Sequence, residues 1–208
     1  MPATRSDADP TRRPTKGERT RSMLVTEAAT LFASRGYDAT SVREIADRCG
    51  VNPALINIYF GSKQQLFREI MTGALDRSDL MTGELANLGW KWARATVQGG
   101  AADEGRQRQS QQALLLMLRS ATSADAAAIV RDAINDRVVH RVAAMLPGPD
   151  AEQRAALIAT YLLGFAMMQR VVGVTGLGKG DPERLVEHLA RAVQDCVDGP
   201  DSGGAPPG

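Results

Sequence analysis

Apolar residues recur along this chain at helical spacing. Leu24, Ala28, Leu31 and Phe32 fall at i, i+4, i+7 and i+8 within Lys16 to Arg35, which predicts a one-sided helix that Gly36 can close. Val42, Ile45, Ala46 and Cys49 repeat the stripe over about two turns. Ser41 is its predicted N-cap, Glu44 completes a capping box, and Gly50 can take the left-handed conformation that ends the helix. Val51 then plugs the turn, Asn52 caps a second short helix, and Pro53 takes the first helical position, where a missing N–H costs nothing. On that helix Ile56 and Phe60 face inward, which turns Pro53, Ala54, Leu55, Asn57 and Ile58 to the other side.

The remainder continues in the same period. Ser62 caps a helix running from Lys63 to about Leu80 on the pattern Leu66, Phe67, Ile70, Met71, and a further helix spans Glu84 to Val97 with Leu85, Leu88, Trp90 and Trp92. Gly99, Gly100 and Gly105 predict a loop over Gln98 to Gln109. Gln111 to Ser120 reads as a buried helix. Ser123 caps the next, which carries Ala127, Val130, Ile134, Val138 and Met145 to Leu146 and stops at Pro147-Gly148-Pro149. Asp150 caps a helix to about Val174 that is apolar around most of its circumference between Ala155 and Met168 and so needs cover on more than one side. After a turn at Gly173 to Gly180, Asp181-Pro182 opens a last helix with Leu185, Leu189, Val193 and Cys196 on one stripe. The pattern predicts an all-α chain of about nine helices and no strand.

Two short helices joined by a sharp turn at Thr40 to Phe60 form a helix-turn-helix, in which the second helix enters the major groove of DNA. With the preceding A-x-x-L-F-x-x-x-G-Y-x-x-T (Ala28 to Thr40) and the following F-G-S-K-x-x-L-F (Phe60 to Phe67), this stretch resembles the TetR family of bacterial transcriptional regulators over roughly Thr20 to Ile70. Composition marks 1–15 as a disordered arm and the Gly/Pro stretch 199–208 as a disordered tail, and the resemblance implies a three-helix DNA-binding domain over 16–62 followed by a helical regulatory and dimerisation domain over 63–198. By position it puts Arg43 where the first helix meets DNA, and Pro53, Ala54, Leu55 and Asn57 on the groove face. Tyr59 and Lys63 match positions that contact phosphate. Asn57 departs from the family's pattern, where Tyr is common; an amide at that place can bond bidentately to adenine, and Leu55 or Ala54 can touch a thymine methyl. A cation in the first turn of a helix opposes its dipole, so Lys63 is unfavourable there unless a phosphate is near.

The composition fits an ordinary folded protein: 208 residues, 43% hydrophobic, 24% charged and a net charge of +1. Attraction to nucleic acid therefore has to be local. Thr11 to Arg21 sets Arg12, Arg13, Lys16, Arg19 and Arg21 against one acid, Glu18, and this segment is either a solvated tail or an arm adding phosphate contacts. Cys49 and Cys196 lie on apolar stripes as small core residues of a reducing compartment. The start of the chain carries no hydrophobic signal segment, and the longest nearly apolar run, Ala155 to Met168, falls short of a bilayer's thickness, which predicts a cytoplasmic protein without a membrane partner.

Excess apolar surface on the helices at about 150–174 and 181–198 predicts self-association, and the resemblance implies a homodimer built on them that presents two recognition helices to a near-palindromic double-stranded operator. Met81, Trp90, Trp92, Met117, Phe165, Met167 and Met168 are large and deformable enough to line a cavity for a small, mainly apolar effector, with Trp90, Met117, Phe165 and Met168 singled out; the same residues at helical spacing also suit plain core. No cofactor, metal site or catalytic residue is predicted. His140 and His188 stand singly, and no zinc, phosphate-loop or nucleophile-elbow pattern occurs. An effector-independent or architectural DNA-binding protein and, more remotely, an all-helical enzyme are the competing readings.

Overall fold

The computed structural model describes residues 13–99 and 104–199, and these are helical throughout apart from short connections. In chain order the helices are α1 (Lys16–Arg35), α2 (Val42–Arg48), α3 (Ala54–Phe60), α4 (Lys63–Ala74), α5 (Leu88–Gln98) and α6 (Glu104–Ser120). They are followed by α7 (Ala124–Ile134, continued through a π turn at Asn135–Val139 into His140–Ala143), α8 (Ala151–Met167, continued by a π turn at Met168–Val172), a single helical turn at Thr175–Gly178, and α9 (Pro182–Asp198). No strand occurs among the described residues. Most of the predicted arm and tail, 1–12 and 200–208, lie outside them.

Local chemistry sets the boundaries of the first half. Thr15 and Glu18 form a capping box on α1, and Ser41 and Glu44 form one on α2, where the Glu44 N–H donates to Ser41 Oγ at 3.2 Å. Gly36 and Gly50 close these helices at φ +84 and +63°, a region that costs an L side chain about 1 kcal/mol or more. Asn52 Oδ1 accepts the Ala54 N–H at 2.8 Å, and Ser62 Oγ accepts from Gln65 N–H at 3.1 Å. The predicted caps at Asn52 and Ser62 are thus made.

Two cores follow one another. The first gathers Leu24, Leu31 and Phe32 of α1, Ile45 of α2, Ile56 and Phe60 of α3 and Leu66, Phe67 and Met71 of α4, then takes in Leu116 of α6 and Ala126 and Ile129 of α7. Phe32, Tyr37 and Phe67 form an aromatic knot with ring centroids 5.0–5.7 Å apart, so Tyr37 is the wedge behind α1. The second core joins Leu88, Trp92 and Val97 of α5 to Val139 and Val142 of α7, Ala155 and Ile158 of α8 and Val186, Ala190 and Val193 of α9. At Gly89 an added Cβ would stand 2.8 Å from the Ala190 carbonyl oxygen and from Gln194, so α5 and α9 meet backbone to backbone.

Several sequence expectations need correction. The helix predicted to reach Leu80 ends at Ala74 and gives way to a 3-10 turn at Ser78–Leu80. The loop predicted over Gln98 to Gln109 is helical from Glu104, because Gly105 lies exposed in the first turn, where a glycine costs little. Ser123 and Asp150 precede α7 and α8 without side-chain caps; Ser123 Oγ donates to Asp38 instead, at 3.0 Å. The helix Ala151–Val172 is 22 residues long, so by length and composition alone it could cross a membrane, yet it buries Ala155, Ile158 and Ala159 in the second core.

Arg154, at the base of α8, was not foreseen. It is buried and donates to the carbonyls of Cys196 and Val197 at 3.0 and 3.1 Å and to those of Pro147 and Pro149. One guanidinium thereby satisfies carbonyls of the last turn of α9 and of the turn before α8, a cation where the helix dipole favours one.

Candidate nucleic-acid interface

Burial of Ile56 and Phe60 fixes the roll of α3 and leaves Ala54, Asn57 and Ile58 exposed. Ile58, 72% exposed, is the most exposed of the large apolar residues described. Nothing in the core requires an isoleucine there, and its place two residues from Ile56 is what puts it on the outer face. Pro53 and Leu55 are half-buried at the margin of that face, Leu55 packing against the first core. The face is short, nearly uncharged and shallow, as a groove-reading surface has to be.

Arg43 projects exposed from α2 with no hydrogen bond or ion pair to another described residue. Its neighbours are tied down: Arg35 pairs with Glu44, and Arg48 with Glu27 at 3.1 Å. Tyr59 is half-buried beside Phe60 with its hydroxyl near Gly17, so it lies between α3 and the start of α1. Lys63 is more constrained than its sequence position suggests. Its ammonium sits 4.1 Å from the centre of the Tyr37 ring, and burial pushes its pKa down while Asp38 acts the other way. Arg43, Ala54 and Asn57 are therefore free to meet a partner, whereas Lys63 has an internal partner to leave or share.

A second site lies between the first core and the last helices. A cavity of about 140 Å³ is bounded by Ala74 and Leu75 at the end of α4, Trp92 of α5, Leu114 and Met117 of α6, Val142 of α7 and Ile158 and Leu162 of α8. Of the four residues singled out from sequence only Met117 lines it; Met81 and Trp92 do so as well. Trp90 is two positions from Trp92 and hence turned away into solvent, Met168 is exposed, and Phe165 packs half-buried against the second core. Helical spacing identifies large residues, but only the packing of five helices decides which of them face the gap. Arg77 and Arg170 at the cavity wall were missed. Among the described residues no three His, Cys, Asp or Glu side chains gather as metal ligands.

The outer surface of α8 carries a further feature. Leu157, Tyr161, Met168 and Val172 follow at i, i+4, i+11 and i+15 and are all exposed, Val172 by 59%. The apolar stripe of α9 is mostly consumed within the chain, since Leu189 and Val193 are buried. The expected apolar surplus therefore resides on α8, and the outward side of α9 presents Arg184, His188, Arg191 and Asp195.

Residues 24–70 match the family model for bacterial regulatory proteins of the tetR family, and residues 100–197 match that of the tetracyclin repressor-like C-terminal domain. Over 56 residues the chain is 46% identical to the HTH-type transcriptional repressor KstR2 of Rhodococcus jostii, a match covering 27% of this chain and 28% of that repressor. Over 68 residues it is 40% identical to the HTH-type transcriptional repressor Rv3405c of Mycobacterium tuberculosis, covering 33% and 36%. The chain thus matches about a third or less of the length of these curated relatives. A crystal structure of a TetR-family regulator from Streptomyces coelicolor superposes with a TM-score of 0.64 at 27% identity, over 89% of this chain and 98% of that one. NalD, the secondary repressor of the MexAB-OprM multidrug efflux pump in Pseudomonas aeruginosa, shares the fold at 20% identity and a TM-score of 0.63, over 84% and 95%.

Proposed function

Because the chain belongs to the TetR family of bacterial regulatory proteins, we propose that it is a sequence-specific, DNA-binding transcriptional repressor of the cytoplasm, non-enzymatic and released from its operator by a small, mainly apolar effector. The observation that carries this reading is the outward face of α3, held in one roll by Ile56 and Phe60 while Ala54, Asn57 and Ile58 stand exposed beside Arg43. On it, Asn57 reads a base edge, Ala54, Leu55 and Pro53 make apolar groove contacts, and Arg43, Tyr59 and Lys63 hold phosphates and set register.

The exposed stripe of α8 supports a homodimer formed over 150–174 and 181–198, with α9 supplying a charged flank. Two-fold symmetry then requires a near-palindromic operator whose half-sites lie one helical turn or a multiple of it apart. The domain boundaries near 16–62 and 63–198 follow from the same reading, although the first core extends past Lys63 into α4, α6 and α7. α4 begins at Lys63 beside the reading helix and ends in the cavity wall at Ala74, about 17 Å away along its axis. An occupant of the cavity that favours a different tilt of α4 changes the separation of the two α3 helices. A hundredfold release of DNA needs about 2.7 kcal/mol of coupling.

Selection of bound duplexes from a random pool by the full chain tests the reading. The expected product is one inverted repeat with a fixed half-site separation. Enrichment of no sequence makes the protein architectural, and enrichment of an isolated half-site makes it a monomeric reader.

A further inference from the structure

The cavity is apolar over most of its wall, yet two guanidinium groups reach its lining, Arg77 and Arg170. Their situations differ. Arg77 is paired with Asp79 at 3.3 Å. Arg170 has no carboxylate partner among the described residues; its guanidinium donates to the Thr96 carbonyl in the last turn of α5 and lies against Gly99, where an added Cβ would stand 2.8 Å from its Nη2. That single bond to a neutral acceptor leaves most of the five N–H donors of the group unspoken for. Burial, with the charge of Arg77 adding to it, pushes the pKa of Arg170 down, which marks a cation held in the folded chain without its natural counter-charge.

Backbone geometry directs the group to this place. Arg170 lies in the π turn Met168–Val172, and Val138, another lining residue, lies in the π turn Asn135–Val139. Each π turn departs from the regular i to i+4 ladder and changes the direction in which its side chains point, a distortion found often at functional sites. A side chain serving only as a cap for α5 would not require the cavity wall to be built this way. Arg170 also borders an adjoining polar groove with Gln98, Gly99, Gln111 and Gln169, so the cationic end of the cavity is the end next to polar surface.

We propose that the effector is a small amphipathic carboxylate, its apolar body in the 140 Å³ cavity against Trp92, Leu114, Met117 and Ile158 and its carboxylate on Arg170, with Arg77 as a second cation. This rests on the proposed effector role of the cavity and specifies the ligand's charge. A cavity near 150 Å³ accommodates benzene, so the body has about six to eight carbon atoms. Planar guanidinium and carboxylate form paired, charge-assisted hydrogen bonds, and in a water-poor site these discriminate strongly against a neutral isostere.

The test uses the full chain and matched pairs of probes: hexanoate with hexanamide, octanoate with octanamide, benzoate with benzamide, each followed by calorimetry and by thermal shift. The expected result is that acids bind roughly ten- to a hundredfold more tightly than their amides. In R170Q the preference collapses while amide affinity is kept, and R77Q reduces it by a smaller factor. Amides binding as well as acids overturns the anion inference and leaves the cavity as an apolar effector site. A preference for acids that survives R170Q overturns the assignment to Arg170. If no probe of either kind binds wild type, the cavity is only imperfect packing, and both the inference and the effector role fall.

Discussion

Asn57 is exposed, lies on the outward side of α3 and has no part in either core, so its removal should leave folding unchanged. Asn57→Ala should weaken binding to the selected operator by about 1–3 kcal/mol while barely changing binding to random duplex, as titrations against both DNAs would register; equal losses on the two would remove Asn57 from base reading. Lys63→Ala should weaken both DNAs and lower the slope of log affinity against log salt by about one, the signature of the proposed phosphate contact. An unchanged slope would mean that the lysine serves only the Tyr37 ring, over which it lies at 4.1 Å. Arg154→Ala leaves carbonyls of α9 and of the turn before α8 unsatisfied and should cost about 2–4 kcal/mol in urea unfolding, with DNA affinity per folded dimer unchanged. The capping partners Ser41, Glu44 and Asn52 were legible in sequence because their bonds close within three residues. Arg154 and Arg170 were not, since acceptors of each, Cys196 for Arg154 and Thr96 for Arg170, lie 42 and 74 residues away.

The elements of the first half follow from local signals, and the inward side of α3 is legible in the spacing of Ile56 and Phe60 alone. Farther along, tertiary packing overrode composition: α6 begins at Glu104 despite nearby glycines, and α4 stops at Ala74 although its apolar pattern continues to Leu75. The two helices at the end both carry apolar surplus by sequence and are used differently. α9 gives Val186, Leu189, Ala190 and Val193 to the second core, and α8 keeps Leu157, Tyr161, Met168 and Val172 outside. Association should therefore depend on α8 first. Tyr161→Glu puts a charge within that stripe and should convert the proposed dimer to monomer by analytical ultracentrifugation, with the helical circular dichroism spectrum retained and operator affinity reduced at least tenfold. A Tyr161→Glu chain that remains dimeric would place the interface elsewhere.

For the whole molecule, the arrangement of parts matters more than any one contact. The outward face of α3, the helix α4, the cavity and the α8 stripe occur in that order along a continuous helical body, and on the proposed reading a change of cavity occupancy would reach DNA by altering how two copies of α3 are spaced. Which large side chains would face the cavity was not legible, because Trp90 and Trp92 carry the same side chain and differ only in the helix face they occupy. Whether two copies of α3 read DNA together is decided by changing the separation of the half-sites in the selected operator. Inserting five base pairs turns one half-site to the opposite side of the duplex, and inserting about ten restores the side but not the distance. With two helices bound to one duplex, the five-base-pair insertion should lower affinity at least a hundredfold, down to the level of a single half-site. Affinity unchanged by that insertion would contradict paired reading.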